Sequence, residues 1–178
     1  LDVPGEERLK GMGVSYCATC DGAFFRGRKV AVIGGGDVAL EDALFLARGC
    51  EKVYLIHRRD ALRGAKSLQQ KVFDTPNIEI IWDSVVEEIR GEETVQMLQI
   101  VNRKTGKLSD ISLQGVFIAV GILPNTQLVR DIVDCDDGGY IRATETGVTS
   151  IPGIFAAGDL RTKRLRQVVT AAADGANA

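Results

Sequence analysis

The chain has 178 residues, 45% of them hydrophobic, and its 22 Lys and Arg against 24 Asp and Glu leave a net charge of −2. This length can bury the core of one domain, or of one domain and part of another. The nearly balanced charge argues against a nucleic-acid-binding domain, and no apolar run approaches the roughly 18 residues of a membrane span. The N-terminal residues contain no apolar signal core, so secretion is not expected.

The first predicted elements form a βαβ unit. Residues 1–28 are predicted to be an irregular lead-in, and 29–34 form a short apolar run ending in glycine, typical of a buried parallel strand. Residues 37–48 carry a helical pattern that ends near Gly49, and 52–56 are a second buried strand. Such a crossover is almost always right-handed.

Further elements extend this unit. A helix is predicted at 65–73 and a third strand at 78–82. Residues 85–90 and 95–103 alternate apolar and polar side chains, which predicts an antiparallel meander within residues 84–113 beside the parallel sheet. A buried strand returns at 116–120. Together these elements predict an α/β, Rossmann-like, three-layer dinucleotide-binding domain over residues 1–121.

Residues 122–178 are predicted to form a second, incomplete unit. The expected order is a turn at Pro124-Asn125, a glycine-rich stretch at Gly138-Gly139, a short strand near 154–157 and a helix over about 165–178. Gly121 breaks the pattern of the preceding strand, and it marks the predicted end of the first domain.

The first strand-to-helix turn carries a dinucleotide-binding pattern. It fits G-x-G-x-x-A, in which the first glycine allows the turn, the second admits a pyrophosphate and the alanine allows close helix packing. The helix N-terminus then offers free N–H groups to phosphates. A glycine-rich turn without a ligand is the alternative. The turn reads Gly34-Gly35-Gly36-Asp37-Val38-Ala39.

The residues after the second strand favour NADPH over NADH. NAD-binding folds usually place an acid there, but this chain has His57-Arg58-Arg59, followed by Arg63. Guanidinium groups bind phosphate through charge-assisted hydrogen bonds, so these residues are predicted around the 2′-phosphate. A solvated basic turn is the alternative, and Asp60 is expected to be a helix cap or an arginine partner.

Two of the four cysteines form a C-x-x-C motif, Cys17-Ala18-Thr19-Cys20, while Cys50 and Cys135 are solitary. Beside a βαβ unit this spacing favours a reversible disulfide in a reducing cytoplasm. Zinc would normally need a second ligand pair, and two inert buried cysteines are a further alternative. Asp21 follows as a candidate acid/base residue, or merely as the start of an Asp-Gly turn.

These motifs together resemble bacterial-type thioredoxin reductase. The resemblance covers essentially the whole chain, in the family's order. It is carried by Tyr16–Ala23, Val30–Gly36, His57–Asp60, Gly153–Asp159 and Arg166–Val168.

The resemblance implies that NADPH reduces FAD, that FAD reduces the disulfide and that the dithiol reduces thioredoxin. It implies that Cys20 faces the flavin, that Cys17 attacks thioredoxin and that Asp21 is the acid/base residue. It also implies a homodimer, while the cytoplasmic location is expected from the cysteine usage. Residues 122–178 would then be part of an FAD-binding domain.

Several further sites rest on the resemblance alone. It places Asp159, beside Gly158, on the ribityl chain of the flavin, and Arg166, Gln167 and Val168 near the flavin ring. Without it, these are only a turn and polar residues at a helix start. Gly121 is counted among the cofactor-binding residues, and Gly121-Ile122 is the candidate for one hinge of a domain rotation.

The chain also departs from the family pattern. No G-x-G-x-x-G unit for the FAD pyrophosphate precedes Cys17, Leu1–Glu6 resembles the connector that leaves such a unit, and the last helix stops early at Ala178. We therefore expect a fragment that binds FAD weakly and does not turn over thioredoxin by itself.

Three other functions fit parts of the pattern. The flavoprotein subunit of alkyl hydroperoxide reductase shares the order of the motifs, but it generally prefers NADH. A non-catalytic NADPH-binding module would need a structural Cys pair, and a zinc-binding regulatory domain would need further ligands.

Overall fold

The computed structural model describes all residues, 1–178, and they separate into two compact units, Leu1–Val120 and Gly121–Ala178. None of the helices combines the length and apolar character that a membrane crossing requires. The elements in chain order are β1 (Val14–Ser15), α1 (Ala18–Asp21), β2 (Lys29–Ile33), α2 (Asp37–Ala47), β3 (Lys52–Ile56), α3 (Lys66–Phe73), β4 (Ile78–Ile81), β5 (Ser84–Arg90), β6 (Met97–Asn102), β7 (Leu108–Ser112), β8 (Gly115–Ile118) and α4 (Val168–Asn177).

The first unit is built on a five-stranded parallel sheet with the order β1-β8-β2-β3-β4. Successive side chains of a strand point to opposite faces, and both faces of this sheet are buried. Val30 and Val32 pack with Leu40 of α2 on one face, whereas Ala31 and Ile33 join the cluster on the other face. The predicted three-layer α/β fold is confirmed.

The second layer facing this sheet is the predicted meander. Strands β5, β6 and β7 form an antiparallel sheet in that order, with Val86 opposite Ile100. A bulge between Val86 and Glu88 keeps the apolar side chains Ile89 and Leu98 on the buried face. The apolar residues of the alternating pattern therefore lie on the face of the meander that packs on the parallel sheet.

One edge of the parallel sheet collects the segments of interest. The Cys17–Cys20 segment follows β1, the glycine loop follows β2 and the basic turn follows β3. Because these strands are parallel, all three segments leave from the carboxyl edge, where open α/β sheets bind ligands. Only β8 separates β1 from β2, so these two strands lie about 10 Å apart.

The second unit is small and mostly irregular. Val133, Ile141 and Ala156 form its buried cluster, and α4 is its one regular element. The predicted strand near 154–157 is wrong: the segment forms only an isolated bridge between Val148 and Phe155. Glycines with positive φ, Gly153 at 86° and Gly158 at 88°, turn the chain on both sides of it.

Candidate redox and dinucleotide site

The two cysteines of the motif are joined by a disulfide across the first turn of α1. Their Cα atoms lie 5.3 Å apart, and Cys17 is the N-cap of the helix. The other cysteines are free thiols, Cys50 buried and Cys135 half-buried. No group of three or more His, Cys, Asp or Glu side chains is arranged to hold a metal ion.

The surroundings of the two sulfurs differ. The backbone N–H of Cys20 donates to Sγ of Cys17 at 3.2 Å, and the Thr19 hydroxyl lies 3.4 Å from the same sulfur. These donors favour the thiolate of Cys17 when the disulfide is open. Cys20 is the more exposed of the two residues.

Asp21 is half-buried and is held from the strand that precedes it. Ser15, at the end of β1, donates its hydroxyl proton to Asp21 Oδ2 at 2.6 Å. The sequence indicates Asp21 but not Ser15, because no local pattern identifies a serine six residues away as its partner.

The glycine loop is shaped by two close approaches. Gly34 has φ +153°, and a Cβ atom there would lie 2.5 Å from the Ala119 carbonyl oxygen and 2.7 Å from Cβ of Ala39. Gly36 is different, because a Cβ atom would meet no atom within 4 Å. No acceptor in the protein takes the backbone N–H groups of Gly36, Asp37 and Val38. These groups therefore remain available to an anion.

His57 lies beneath the loop. Its side chain is 4% exposed, and Nε2 lies 3.0 Å from the Ala61 carbonyl oxygen. Burial and the nearby arginines lower the pKa of His57, although contacts with backbone carbonyls oppose this. A Cβ atom on Gly35 would overlap the imidazole ring, so this middle glycine is needed for packing.

The glycine loop and the basic turn are bonded to each other. The carbonyl oxygen of Gly35 accepts the N–H groups of Arg63 at 2.7 Å and Gly64 at 3.1 Å. Asp37 Oδ1 accepts the N–H of Ala65 at 2.7 Å, which ties the start of α2 to the start of α3. The Asp37 carboxylate thus already accepts a hydrogen bond from within the protein.

A cavity of about 410 Å³ opens between these segments. Arg58 and Arg63 line it with Gly34, Gly35 and His57, whereas Arg59 lies outside its lining. The three arginines are exposed, and none of them pairs with a carboxylate. Their charge is therefore free to attract an anion.

The turn between β6 and β7 supplies basic residues that the sequence analysis did not identify. Lys104 Nζ contacts Asp60 Oδ2 and Asp83 Oδ2, each at 3.0 Å. The expectation that Asp60 caps a helix or pairs with an arginine is wrong, because Asp60 forms an ion pair with Lys104, which lies on a turn distant in sequence. Hydrogen bonds to Lys104 lower the pKa of Asp60. Arg103 also donates to the Arg58 carbonyl at 3.4 Å.

In the second unit, Gly158 and Asp159 form a turn held by a buried carboxylate. Asp174 of α4 accepts the Gly158 N–H at 2.9 Å, and its two oxygens accept two nitrogens of Arg161 at 2.9 and 2.7 Å. Lys163 adds an ion pair at 2.8 Å. These donors hold the pKa of Asp174 well below its usual range. Asp159 itself is exposed.

The start of α4 presents the remaining predicted residues. Arg166 stacks on the Tyr140 ring, 4.1 Å from its centroid. Gln167 is the N-cap of the helix, and its backbone N–H donates to the Thr170 hydroxyl at 3.1 Å. Val168 is exposed. Gly121 begins the second unit and has φ +108°. The sequence does not indicate Tyr140, because its contact with Arg166 spans 26 positions.

Comparison with known proteins decides the family. The family model described as pyridine nucleotide-disulphide oxidoreductase matches residues 1–175. The chain belongs to this family. Thioredoxin reductase of Peptoclostridium acidaminophilum is 45% identical over 97% of the chain and 57% of that protein. The crystal structure of thioredoxin reductase from Streptococcus pyogenes superimposes with a TM-score of 0.91 at 50% identity, over 99% of this chain and 58% of that one.

Thioredoxin reductase of Lactococcus lactis gives a TM-score of 0.78 at 47% identity, over 100% of this chain and 59% of that one. The chain thus spans a little more than half the length of these relatives. Membership of the pyridine nucleotide-disulphide oxidoreductase family implies a nicotinamide dinucleotide and a flavin as cofactors in general. The free N–H groups after Gly36 and the unpaired arginines fit the phosphates of a dinucleotide.

Two glycines of this oxidoreductase loop are expected to respond differently to alanine. Gly35→Ala places a methyl group against the His57 ring and should lower the free energy of unfolding by about 1–3 kcal/mol. Gly36 has φ −91°, and a Cβ atom there would meet open space. The free energy of unfolding of Gly36→Ala should therefore remain within about 0.5 kcal/mol of that of the parent chain. Urea denaturation followed by circular dichroism compares them, and equal losses in both variants would contradict this account of the loop.

A half-buried carboxylate makes stability depend on pH. Asp42 of α2 lines an open groove of about 700 Å³ with Thr19 and Lys71, and it forms no hydrogen bond or ion pair. Burial, with a smaller contribution from Glu41, raises the pKa of Asp42 from 3.8 to about 6. Ionisation of Asp42 therefore lowers the free energy of unfolding. This loss of stability grows between about pH 4 and pH 6 and stays constant at higher pH.

Asp42→Asn should therefore stabilise the chain at pH 7 by about 1 kcal/mol, after allowance for solvent screening, and should have no effect below about pH 4. Urea unfolding across this pH range measures the difference. Glu93→Gln, in the exposed turn between β5 and β6, is the matched control and should change stability little at any pH. A stabilisation independent of pH would contradict the role of the Asp42 charge.

Proposed function

We propose that this chain carries the nicotinamide-binding and disulfide-bearing part of a thioredoxin reductase, which transfers electrons from NADPH through FAD to the Cys17–Cys20 disulfide and then to thioredoxin. The observation that carries the proposal is the disulfide on the same sheet edge as the glycine loop and the arginine turn, in a fold shared with thioredoxin reductases. The activity is proposed for a protein of the relatives' full length.

The proposed nucleotide site uses three groups of this chain. The loop from Gly34 to Ala39 would receive the pyrophosphate, because Gly36 leaves space there and the following N–H groups are free. Arg58, Arg59 and Arg63 would bind the 2′-phosphate, which selects NADPH over NADH. Lys104 supports this selection, because its contact offsets the negative charge of Asp60 beside the arginines.

Bound NADPH and FAD would supply a pair of electrons, which Cys17 and Cys20 would hold as two thiols. The Cys17 thiolate then attacks a sulfur of the thioredoxin disulfide, and the displaced thioredoxin thiolate takes up a proton. Cys20 attacks Cys17 in the resulting mixed disulfide, which restores the Cys17–Cys20 bond and releases thioredoxin as a dithiol. Asp21 would take the proton of an attacking thiol and return it to a leaving thiolate.

The second unit fits part of a flavin site. Asp159 is exposed beside Gly158, whose N–H is fixed by Asp174, and we assign Asp159 to the ribityl hydroxyls. Arg166, Gln167 and Val168 would lie near the flavin ring.

The proposal includes a hinge at Gly121-Ile122, where the two units join and a glycine has positive φ. It includes a homodimer of the full-length protein and a cytoplasmic location.

Calorimetric titration of the chain with NADPH and with NADH tests the proposal. We expect NADPH to bind at least about tenfold more tightly, because the 2′-phosphate adds charge-assisted hydrogen bonds. Tighter binding of NADH would favour the alkyl hydroperoxide reductase type instead, and absence of binding by both nucleotides would overturn the nucleotide site.

A further inference from the structure

Ser15 connects the redox helix to the sheet through two hydrogen bonds of its side chain. It is 5% exposed and is the last residue of β1, opposite Phe117 of β8. Its Oγ accepts the backbone N–H of Cys17 at 3.1 Å and lies 2.6 Å from Asp21 Oδ2. The Cys17 carbonyl oxygen is a second acceptor at 3.3 Å, but the shorter bond to the carboxylate takes the hydroxyl proton.

The bond to Cys17 alone has a local explanation. A serine hydroxyl that accepts the N–H two residues later forms a common turn motif, and it needs no partner beyond the backbone. The bond to Asp21 is not explained in this way, because it runs from a buried strand to the residue that follows the second cysteine. It fixes Oδ2 and leaves Oδ1 without a hydrogen-bond partner in the protein.

We propose that Ser15 is a positioning residue for thiol–disulfide exchange, which holds Asp21 by Oδ2 so that Oδ1 exchanges protons with the Cys17–Cys20 pair. This inference rests on the proposed redox role of that pair. The hydroxyl proton of Ser15 is donated to Asp21 and does not contact the reacting sulfur atoms. Ser15 acts by limiting the carboxylate to one orientation, since a fixed base transfers a proton faster than a freely rotating one.

In the reduced chain, Oδ1 of the Asp21 carboxylate takes the proton of an attacking cysteine thiol, and the thiolate formed attacks a disulfide of the partner. The S–S bond of the partner breaks, its displaced sulfur leaves as a thiolate, and the second cysteine closes the Cys17–Cys20 disulfide with release of the second thiolate. Two electrons leave the dithiol. Asp21 takes one proton from each cysteine thiol in turn and passes it to the leaving thiolate or, where that thiolate stays ionised, to solvent.

Other titratable groups near the redox helix are Asp42 and Glu41 of α2, which line a groove with Thr19. The pKa of Asp42 is raised to about 6, but this residue is present in the background and in every variant, so its charge cancels in the ratio of their rates.

No charged side chain forms a hydrogen bond or ion pair with Asp21. Tyr16, beside Cys17, has its pKa raised to about 12 by burial and by its hydrogen bond to Glu6, so it keeps its proton near neutral pH. The base is needed only while the attacking thiol is protonated, so its effect should disappear at high pH.

The test follows the reaction of the reduced chain with an aromatic disulfide that releases a coloured nitrobenzoate thiolate. A Cys50→Ala, Cys135→Ser background restricts the reaction to the Cys17–Cys20 pair. We expect Ser15→Ala to react about tenfold more slowly than this background near pH 6 and at nearly the same rate near pH 9. Ser15→Thr keeps the hydroxyl and should restore the rate, and exposed Ser112→Ala on β7 is the matched control.

A double-mutant cycle with Asp21→Asn completes the test. If Ser15 acts through Asp21, the double variant should be no slower than Asp21→Asn alone. A loss in Ser15→Ala that is equal at all pH values, or that multiplies with the loss in Asp21→Asn, would overturn the proposal in favour of a structural role. If Ser15→Ala does not fold, a slow Ser15→Thr variant with native circular dichroism would overturn it equally.

The assay uses neither nicotinamide nor flavin nor thioredoxin. A chain that fails to bind NADPH yet shows this pH-dependent loss would contradict the proposed nucleotide site and support the role of Ser15. A chain that binds NADPH but shows no pH-dependent loss would do the opposite.

Discussion

Replacement of Cys20 by serine is expected to trap a covalent complex between this chain and oxidised thioredoxin. Cys17 would still attack the thioredoxin disulfide, but no second thiol would remain to resolve the mixed disulfide. The donors around Sγ of Cys17, the Cys20 N–H at 3.2 Å and the Thr19 hydroxyl at 3.4 Å, support this order of attack. Non-reducing electrophoresis of the pre-reduced variant mixed with thioredoxin would show the complex.

Cys17→Ser is the matched control. It should form little complex, because the remaining thiol, Cys20, is assigned to the flavin side of the reaction. Both variants should lose the two-electron exchange completely, whereas Cys135→Ser should keep it. Trapping by Cys17→Ser and not by Cys20→Ser would reverse the roles of the two cysteines.

Replacement of Arg58 by alanine is expected to weaken NADPH binding about 10-fold to 100-fold and to leave NADH binding nearly unchanged. Arg58 lines the cavity beside the glycine loop, and its guanidinium has no carboxylate partner to lose. A charge-assisted hydrogen bond to phosphate contributes about 1.5–3 kcal/mol, which corresponds to this change in affinity. Calorimetry with both nucleotides measures the two affinities in one variant.

Arg28→Ala provides the control for this prediction. Arg28 is also exposed, but it precedes β2 and so lies at the opposite, amino edge of the sheet. Its loss should change neither affinity, apart from a small general effect of charge that added salt removes. If Arg58→Ala weakened NADH and NADPH equally, the arginine would contact a part shared by both nucleotides, and the assignment to the 2′-phosphate would fail.

The sequence by itself determined the elements whose pattern is local. The buried strands, α2, α3 and the meander were confirmed with ends shifted by one or two residues at most positions, because side-chain period and glycine placement act over short distances. The predicted strands also placed the glycine loop and the basic turn at one sheet edge, since each follows a parallel strand. Only the structure added the disulfide segment to this edge, through β1. Two predictions of local structure were wrong. The segment near 154–157 had a strand-like composition but glycine turns at both ends. The lead-in at residues 1–28 was expected to be irregular but contains β1 and α1, which are too short for a periodic pattern.

Only the tertiary structure decided which side chains support these segments. The partner of Asp60 is Lys104, 44 residues away, and the partner of Asp21 is Ser15 on the preceding strand. Gly35 is required by the buried His57 ring, which no glycine motif indicates. Hydrogen bonds and close packing depend on distances between atoms that the fold brings together. The spacing of residues along the chain does not determine these distances.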